Sequence, residues 1–413
     1  MADQRKNAGM EGRRSVAASA MLRHRLRRGF TLLEMLYWLT YGSFTTYLVS
    51  FVTATRGANA STAGLMLAIF MASACAGQFV IGGLCDRRQN NRSVFVVGMA
   101  ATIMLEMAVY FSPNMLLLGV GCVFLGFIQP PTGAILDTWL IRSFPDEPGA
   151  YSPIRSLGSL SYAALMVIMG MTIHRFGHTV MPVFSTVFAV LAITVALKMP
   201  EIPRVSGKQA AERRAGLGQL PRVVWLFVLS LAIMGMATTP LINMNLLILE
   251  NVGGTVASMG IATSFNTLAE FIVMRFPKPY MRFGARQRLL RAGALYVGST
   301  VLMVFSGTVW MLYLATFVNG MAYGVLLPAR RQYVTEIAPA QTHNRVHGLG
   351  DMAYLNFGGL VGNQVSGLLI DSRGVRFMLV VSLCVQTVAM FVLSTLKHAM
   401  RRDGIASETN GES

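Results

Sequence analysis

Residues 130 to 162 read PPTGAILDTWLIRSFPDEPGAYSPIRSLGSLSY. This stretch places Asp137 and Arg155 inside otherwise apolar segments of helix length, with Pro145-Asp146-Glu147-Pro148-Gly149 between them. The prolines and glycine end one helix and start the next. Asp137 lies about nine residues before the centre of that turn and Arg155 about nine after it, so both sit roughly 13 Å from the hairpin tip. Two opposite charges at one depth can pair. A lone charge near the centre of a membrane helix costs on the order of 3 kcal/mol, so such residues face a protein interior or a watery cavity. The plain alternative is an ion pair that only pins two helices.

Working outward, the chain of 413 residues is 54% hydrophobic and 13% charged. Its apolar residues come in runs long enough to cross about 30 Å of hydrocarbon. Twelve such runs are expected, at 29–54, 61–85, 93–111, 115–144, 151–174, 179–198, 222–250, 255–276, 287–306, 309–337, 346–371 and 375–397. The chain therefore reads as an all-α protein of the lipid bilayer. The net charge of +17 raises nucleic acid as a partner, but most Lys and Arg precede the first run, follow the last, or fall in alternate loops. The opposite loops carry only Arg56, Arg175, Arg373 and Arg376. That bias puts both termini in the cytoplasm, and no segment is long enough for a basic soluble domain that would grip nucleic acid.

Residues 1–28 form a basic tail that resembles the start of a signal peptide, yet the apolar run behind it is too long and lacks a small-residue cleavage site. A retained first helix is expected. On it, Tyr37, Tyr41, Phe44 and Tyr47 share one face, which suits packing. Glu34, six residues past Arg28, is expected to snorkel to the cytoplasmic edge. Residues 199–221 read as a cytoplasmic linker and 398–413 as a disordered cytoplasmic tail. The four cysteines show neither metal spacing nor a disulfide framework, and no cofactor is implied.

After the second run comes Gly82-Gly83-Leu84-Cys85-Asp86-Arg87-Arg88-Gln89-Asn90-Asn91-Arg92. Glycines allow close helix approach, and Asp86, Arg87 and Arg92 can hold a cytoplasmic loop. Their spacing resembles the signature loop of the major facilitator superfamily, with Gln89 in place of a second glycine and Asn90 and Asn91 in place of basic residues. The resemblance implies twelve transmembrane helices in two six-helix pseudo-repeats, at 29–198 and 222–397, with Gly82, Asp86, Arg87 and Arg92 in a gating loop. Arg155-Ser-Leu-Gly158 and Arg345-Val-His-Gly348 open corresponding helices of the two halves, and Tyr280 to Arg288 is a degenerate copy of the signature loop.

In the second half, Glu270 lies within SFNTLAEFIVM, where a carboxylate could take and release a proton as its surroundings change. Pairing with Arg275 or Arg282 is the alternative. Asp351 faces Arg330 and Arg331 at comparable depth, so a structural pair and a functional role both stand open. All six histidines fall in loops, tails or span edges, which leaves no membrane histidine relay.

These residues resemble the lactose-permease-like branch, which includes sugar and nucleoside proton symporters and phenylpropionate-type permeases. The likeness implies that Asp137, Arg155, Tyr162 and Glu270 bind substrate, with Tyr162 stacking on a ring. The branch's coupling histidine and glutamate correspond to Asn319 and Ala322, so proton coupling falls to Glu270 or Asp351. The expected function is a monomeric secondary transporter of the bacterial inner membrane, taking up a small organic solute with protons. Rivals are an aromatic-acid permease and a drug/proton exporter, although helix five lacks the glycine-proline-glycine-glycine run of such exporters. A sensor would carry an output domain, a channel would need a repeated pore lining, and no nucleophile or phosphate loop supports an enzyme.

Overall fold

The computed structural model describes residues 2–88, 90–144, 147, 150–201, 220–339 and 342–402. Among them every regular element is helical. In chain order these are α1 (Ala2–Phe44), α2 (Leu48–Ser50), α3 (Ala60–Arg88), α4 (Asn91–Tyr110), α5 (Met115–Ser143), α6 (Tyr151–Phe176), α7 (Val180–Leu197) and α8 (Arg222–Asn243). Then follow α9 (Asn245–Glu250), α10 (Val256–Arg275), α11 (Lys278–Met281), α12 (Ala285–Val304), α13 (Val309–Ile337), α14 (His343–Asp351), α15 (Gly358–Arg373) and α16 (Val375–Arg402). Several starts are fixed locally: Asn90 accepts the Ser93 N–H at 2.8 Å and Asn114 the Leu117 N–H at 2.9 Å, each satisfying a first-turn donor.

Among the described residues, nine helices are long and apolar enough to cross a membrane. Three of the expected runs are not among those nine, each for a physical reason. The first is interrupted by a tight turn at Thr45–Tyr47 and a wide turn at Phe51–Thr55. The eleventh is interrupted by a wide turn at Met352–Phe357. The ninth, α12, opens on Arg286, Arg288 and Arg291, which lower its hydropathy. Wide single turns inside helices recur at functional sites. At the C-terminus α16 runs to Arg402, into the tail expected from residue 398, because Leu396 and Ala399 pack into a core. Most of the 199–221 linker and residues 403–413 lie outside the described residues.

Three cores position everything else. At the end of the bundle that carries the basic loops, one core is built from residues before 200, including Phe30, Phe95, Trp139 and Phe144. A separate core there is built from residues after 222, including Phe227, Tyr296, Tyr333 and Leu393. At the far end a single core joins both halves, with Phe44, Tyr47, Phe70 and Met166 packed among Leu249, Met259, Met303 and Met378. The halves are thus welded at the far end and parted at the basic end. Two seams make the weld, α6 against α10 and α3 against α15. Small residues let the backbones close there: a Cβ at Gly170 would stand 3.0 Å from the Gly260 Cα, and one at Gly367 would strike the Ala60 backbone.

Candidate functional site

The site begins with how closely α6 approaches α1. At Gly158 an added Cβ would lie 2.8 Å from the Trp38 ring and 3.3 Å from the Glu34 carbonyl oxygen, so only glycine admits this contact. One turn earlier on α6, Arg155 lays its guanidinium over the Trp38 ring, 4.2 Å from the centroid. Its Nε lies 3.7 Å from Glu34 Oε2 and 3.8 Å from Asp137 Oδ1, and its Nη1 donates to Ser159 Oγ at 3.4 Å. The Asp137–Arg155 pairing expected at matched depth is therefore present, and a second carboxylate joins it. Glu34 is 1% exposed, Arg155 24% and Asp137 36%. The expectation that Glu34 snorkels to a membrane edge is overturned. Covered by α6 and offered a guanidinium, its carboxylate turns inward, and its Oε1 has no hydrogen-bond partner.

Tyr162 stands elsewhere than against the guanidinium. Gly42 lets its ring in beside α1, its hydroxyl lies 2.9 Å from that of Thr46, and its edge meets Trp38 at 6.1 Å. Trp38 is the aromatic residue that carries the Arg155 charge. The aromatic stripe of α1 packs, as expected: Tyr47 donates to the Met166 carbonyl at 2.9 Å and Tyr37 to that of Gln129 at 3.1 Å.

Across the gap, Glu270 of α10 is half-buried and close enough to Arg155 for their charges to interact. Neither loop arginine pairs with it; Arg275 lies over Phe276 and Arg282 over Phe283. Tyr296 and Tyr354 join hydroxyls at 2.9 Å near Glu270, and Thr238 donates to Tyr354 at 3.0 Å. Asp351 is ion-paired with Arg330, which lies 5.8 Å from the Tyr354 ring centroid. Asn319 is fully buried, with Asn266 Nδ2 donating to its Oδ1 at 3.1 Å, and Ala322 is fully buried in the second-half core. Both positions serve helix contact.

In the gating loop, Gly82 has open space where a side chain would point. The side chains of Asp86 and Arg87 lie outside the described residues. Arg92 donates to the Met199 carbonyl at 3.2 Å and pairs with Glu201 at 3.6 Å, tying α4 to the end of α7 within the first half.

Two buried groups escaped the sequence reading. Glu106 of α4 is 1% exposed and accepts from Gln129 at 3.0 Å and from Ser185, while Thr45 donates to Gln129 at 2.5 Å. This neutral-donor network knits the tight turn after α1 to α4, α5 and α7; the signal was a single carboxylate in an apolar run. The second is His178 at the far end, with Ser50 Oγ 2.7 Å from Nε2 and Thr55 Oγ1 2.7 Å from Nδ1.

Comparison with known proteins bears on this geometry. The family model described as the MFS_1 like family matches residues 30–395. The maltose permease of Geobacillus stearothermophilus is 23% identical over 254 residues, covering 60% of this chain and 64% of that protein. The multidrug resistance protein MdtG of Enterobacter lignolyticus (strain SCF1) is 26% identical over 358 residues, 83% of each chain. The crystal structure of the nucleoside transporter NupG superposes with a TM-score of 0.74 at 16% identity, over 91% of this chain and 99% of that one. At that identity the likeness speaks for the fold alone.

Proposed function

The chain belongs to the MFS_1 like family, and on that premise we propose that it is a proton-coupled symporter that takes up an uncharged small organic solute such as a sugar or nucleoside. It is an integral membrane transporter of small molecules and not an enzyme. The proposed architecture is twelve spans in two six-helix repeats, 29–198 and 222–397, with both termini cytoplasmic, working as a monomer in a bacterial inner membrane. In its support, α6 and α15 end alike: Gly177 and Gly374, at φ 74° and 85°, donate their N–H groups to Ile173 and Ile370 at 2.8 Å each.

The observation that carries the reading is the Glu34–Arg155–Asp137 cluster in the first half, set across from Glu270 in the second, where the halves part. A guanidinium and a carboxylate both bind hydroxyls, and Trp38 and Tyr162 supply apolar ring surface beside them. In the proposed cycle a solute enters from the far side, the weld there closes, and the parted basic end releases it to the cytoplasm. Glu270 takes up a proton with the solute and releases it where the cavity opens to the cytoplasm, with Asp351 as the other candidate. Asp86, Arg87 and Arg92 are proposed to set the rate of exchange between the two states.

A ligand panel tests this. Purified protein is screened by thermal shift against sugars, nucleosides, aromatic acids and cationic drugs, and hits are followed by uptake in proteoliposomes holding a pH-sensitive dye. Stabilisation by a sugar or nucleoside, with proton entry accompanying its uptake, is expected. Stabilisation by drugs alone, with protons moving opposite to the drug, would replace the reading with efflux, which the relative MdtG favours.

A further inference from the structure

Arg155 is engaged on several sides by the protein itself. One face of its guanidinium lies on Trp38, its Nε edge points between Glu34 and Asp137, and Nη1 reaches Ser159. The two carboxylates are not equivalent. Asp137 is 36% exposed and faces the space between the halves, so a solute can compete with it for the guanidinium. Glu34, 1% exposed and supplied by α1, is covered by α6 at Gly158 and so lies out of a solute's direct reach.

The charges around this point come from five helices: Glu34 on α1, Asp137 on α5, Arg155 on α6, Glu270 on α10, and Arg331 on α13, which acts on Asp137 from an exposed position. Arg330 is already paired with Asp351. Coulomb energy falls only with the first power of distance, so neighbours a few ångströms further away still count. An anionic solute reaching for Arg155 meets a guanidinium that already lies against the Glu34 and Asp137 carboxyl groups, and must bring its own oxygens up to theirs. A hydroxyl-bearing solute meets no such opposition and can donate to the carboxylates as well.

We propose that Glu34 is a specificity-determining residue that bars anionic solutes from the Asp137–Arg155 site by occupying one side of the Arg155 guanidinium. This deepens the transporter reading and rests on it, in that Asp137 and Arg155 must face the transported solute. It also separates that reading from the aromatic-acid permease, which needs an arginine free to take a carboxylate.

The test uses the full chain in lipid nanodiscs. The probes are glucuronate and 3-phenylpropionate, each beside its uncharged partner, glucose and 3-phenylpropanol. Binding is read by calorimetry and by Trp38 emission, with Trp38→Phe subtracting the other tryptophans. Wild-type protein is expected to bind neither anion measurably. Glu34→Gln is expected to bind at least one anion at least tenfold more tightly than wild type, and adding Arg155→Gln is expected to abolish that gain. A folded Glu34→Gln protein with no gain, or a gain that survives Arg155→Gln, overturns the proposal. Should Glu34→Gln fail to fold, wild type decides alone: anion binding as tight as that of the uncharged partner overturns it, and anion exclusion supports it. Failure of the transporter reading has a different signature, a wild-type protein that binds no uncharged solute of the wider panel, whereas the Glu34→Gln gain is read on anions.

Discussion

Asp371, in the last turn of α15, accepts the Ser61 N–H at 2.7 Å and with its other oxygen the Ala60 N–H at 2.9 Å, so a carboxylate from the second half caps α3 of the first. The contact sits in the far-end weld, beside Gly367 packed on Ala60 and Gly64 packed on the Asn363 backbone. A charge at a helix N-terminus is stabilising, and this one ties the two halves together at the far end.

Asp371→Ala is therefore expected to favour the far-end-open state. An exposed cap of this kind contributes about 1 kcal/mol after screening, roughly a fivefold change in the equilibrium. Spin labels at Phe111 and Phe305, exposed far-end positions on opposite halves, replace these residues in a background without the natural cysteines. Pulsed dipolar distances should gain a longer component in Asp371→Ala. An unchanged distance distribution would show that the cap does not bias the two states.

Much of this was legible in sequence, and the exceptions share a cause. The nine long apolar helices follow from runs of membrane length, and the Asp137–Arg155 pair from equal distances to one turn. What sequence spacing could not convey is what covers a residue. Glu34 is six positions from Arg28, yet α6 buries it against Arg155. Tyr162 lies on the helix of Arg155, but the register of α1 sets Trp38 on the guanidinium instead. Asp371 looks like a polar end of a span because its partner Ser61 is 310 residues away. The break at Met352–Phe357 lies where the Tyr354 backbone packs on Gly235, a contact between distant residues that leaves no periodic signal.

His178, in the turn between α6 and α7, supplies a pH dependence outside the spans. Burial lowers its pKa from 6.5 to about 4, because the imidazolium would lose its hydration. The hydroxyls of Ser50 and Thr55 can rotate to bond either form, so they oppose the charge little. The unfolded chain then binds the proton first as pH falls, and stability present above about pH 6.5 is lost progressively toward pH 4. His178→Gln should flatten that part of a plot of Tm against pH. A wild-type Tm that is constant between those limits would rule out His178 as the source.

Asp137 and Arg155 should separate binding from folding. Asp137→Asn leaves Arg155 paired with Glu34, so the protein is expected to fold normally while solute affinity falls at least tenfold. Arg155→Ala strands a buried carboxylate on α1 and should cost roughly 2–3 kcal/mol in addition. Arg155→Lys keeps the charge but loses the planar stack on Trp38 and should bind poorly while folding. Full transport by Asp137→Asn would make the pair structural.

Glu270 carries the last expectation, that its proton couples solute movement to the gradient. It is the second-half carboxylate that acts on Arg155 without an ion pair of its own among the described residues, while Asp351 is held by Arg330. Glu270→Gln fixes the proton-bearing shape, so steps that require proton release should stop while exchange of bound solute across the membrane continues. The variant is expected to catalyse counterflow at near wild-type rate yet fail to concentrate solute. Adding solute to a weakly buffered suspension of cells should then give no alkalinisation. Accumulation with a normal proton signal would move coupling away from Glu270, and Asp351→Asn, which leaves Arg330 buried and unpaired, would be the next variant to measure.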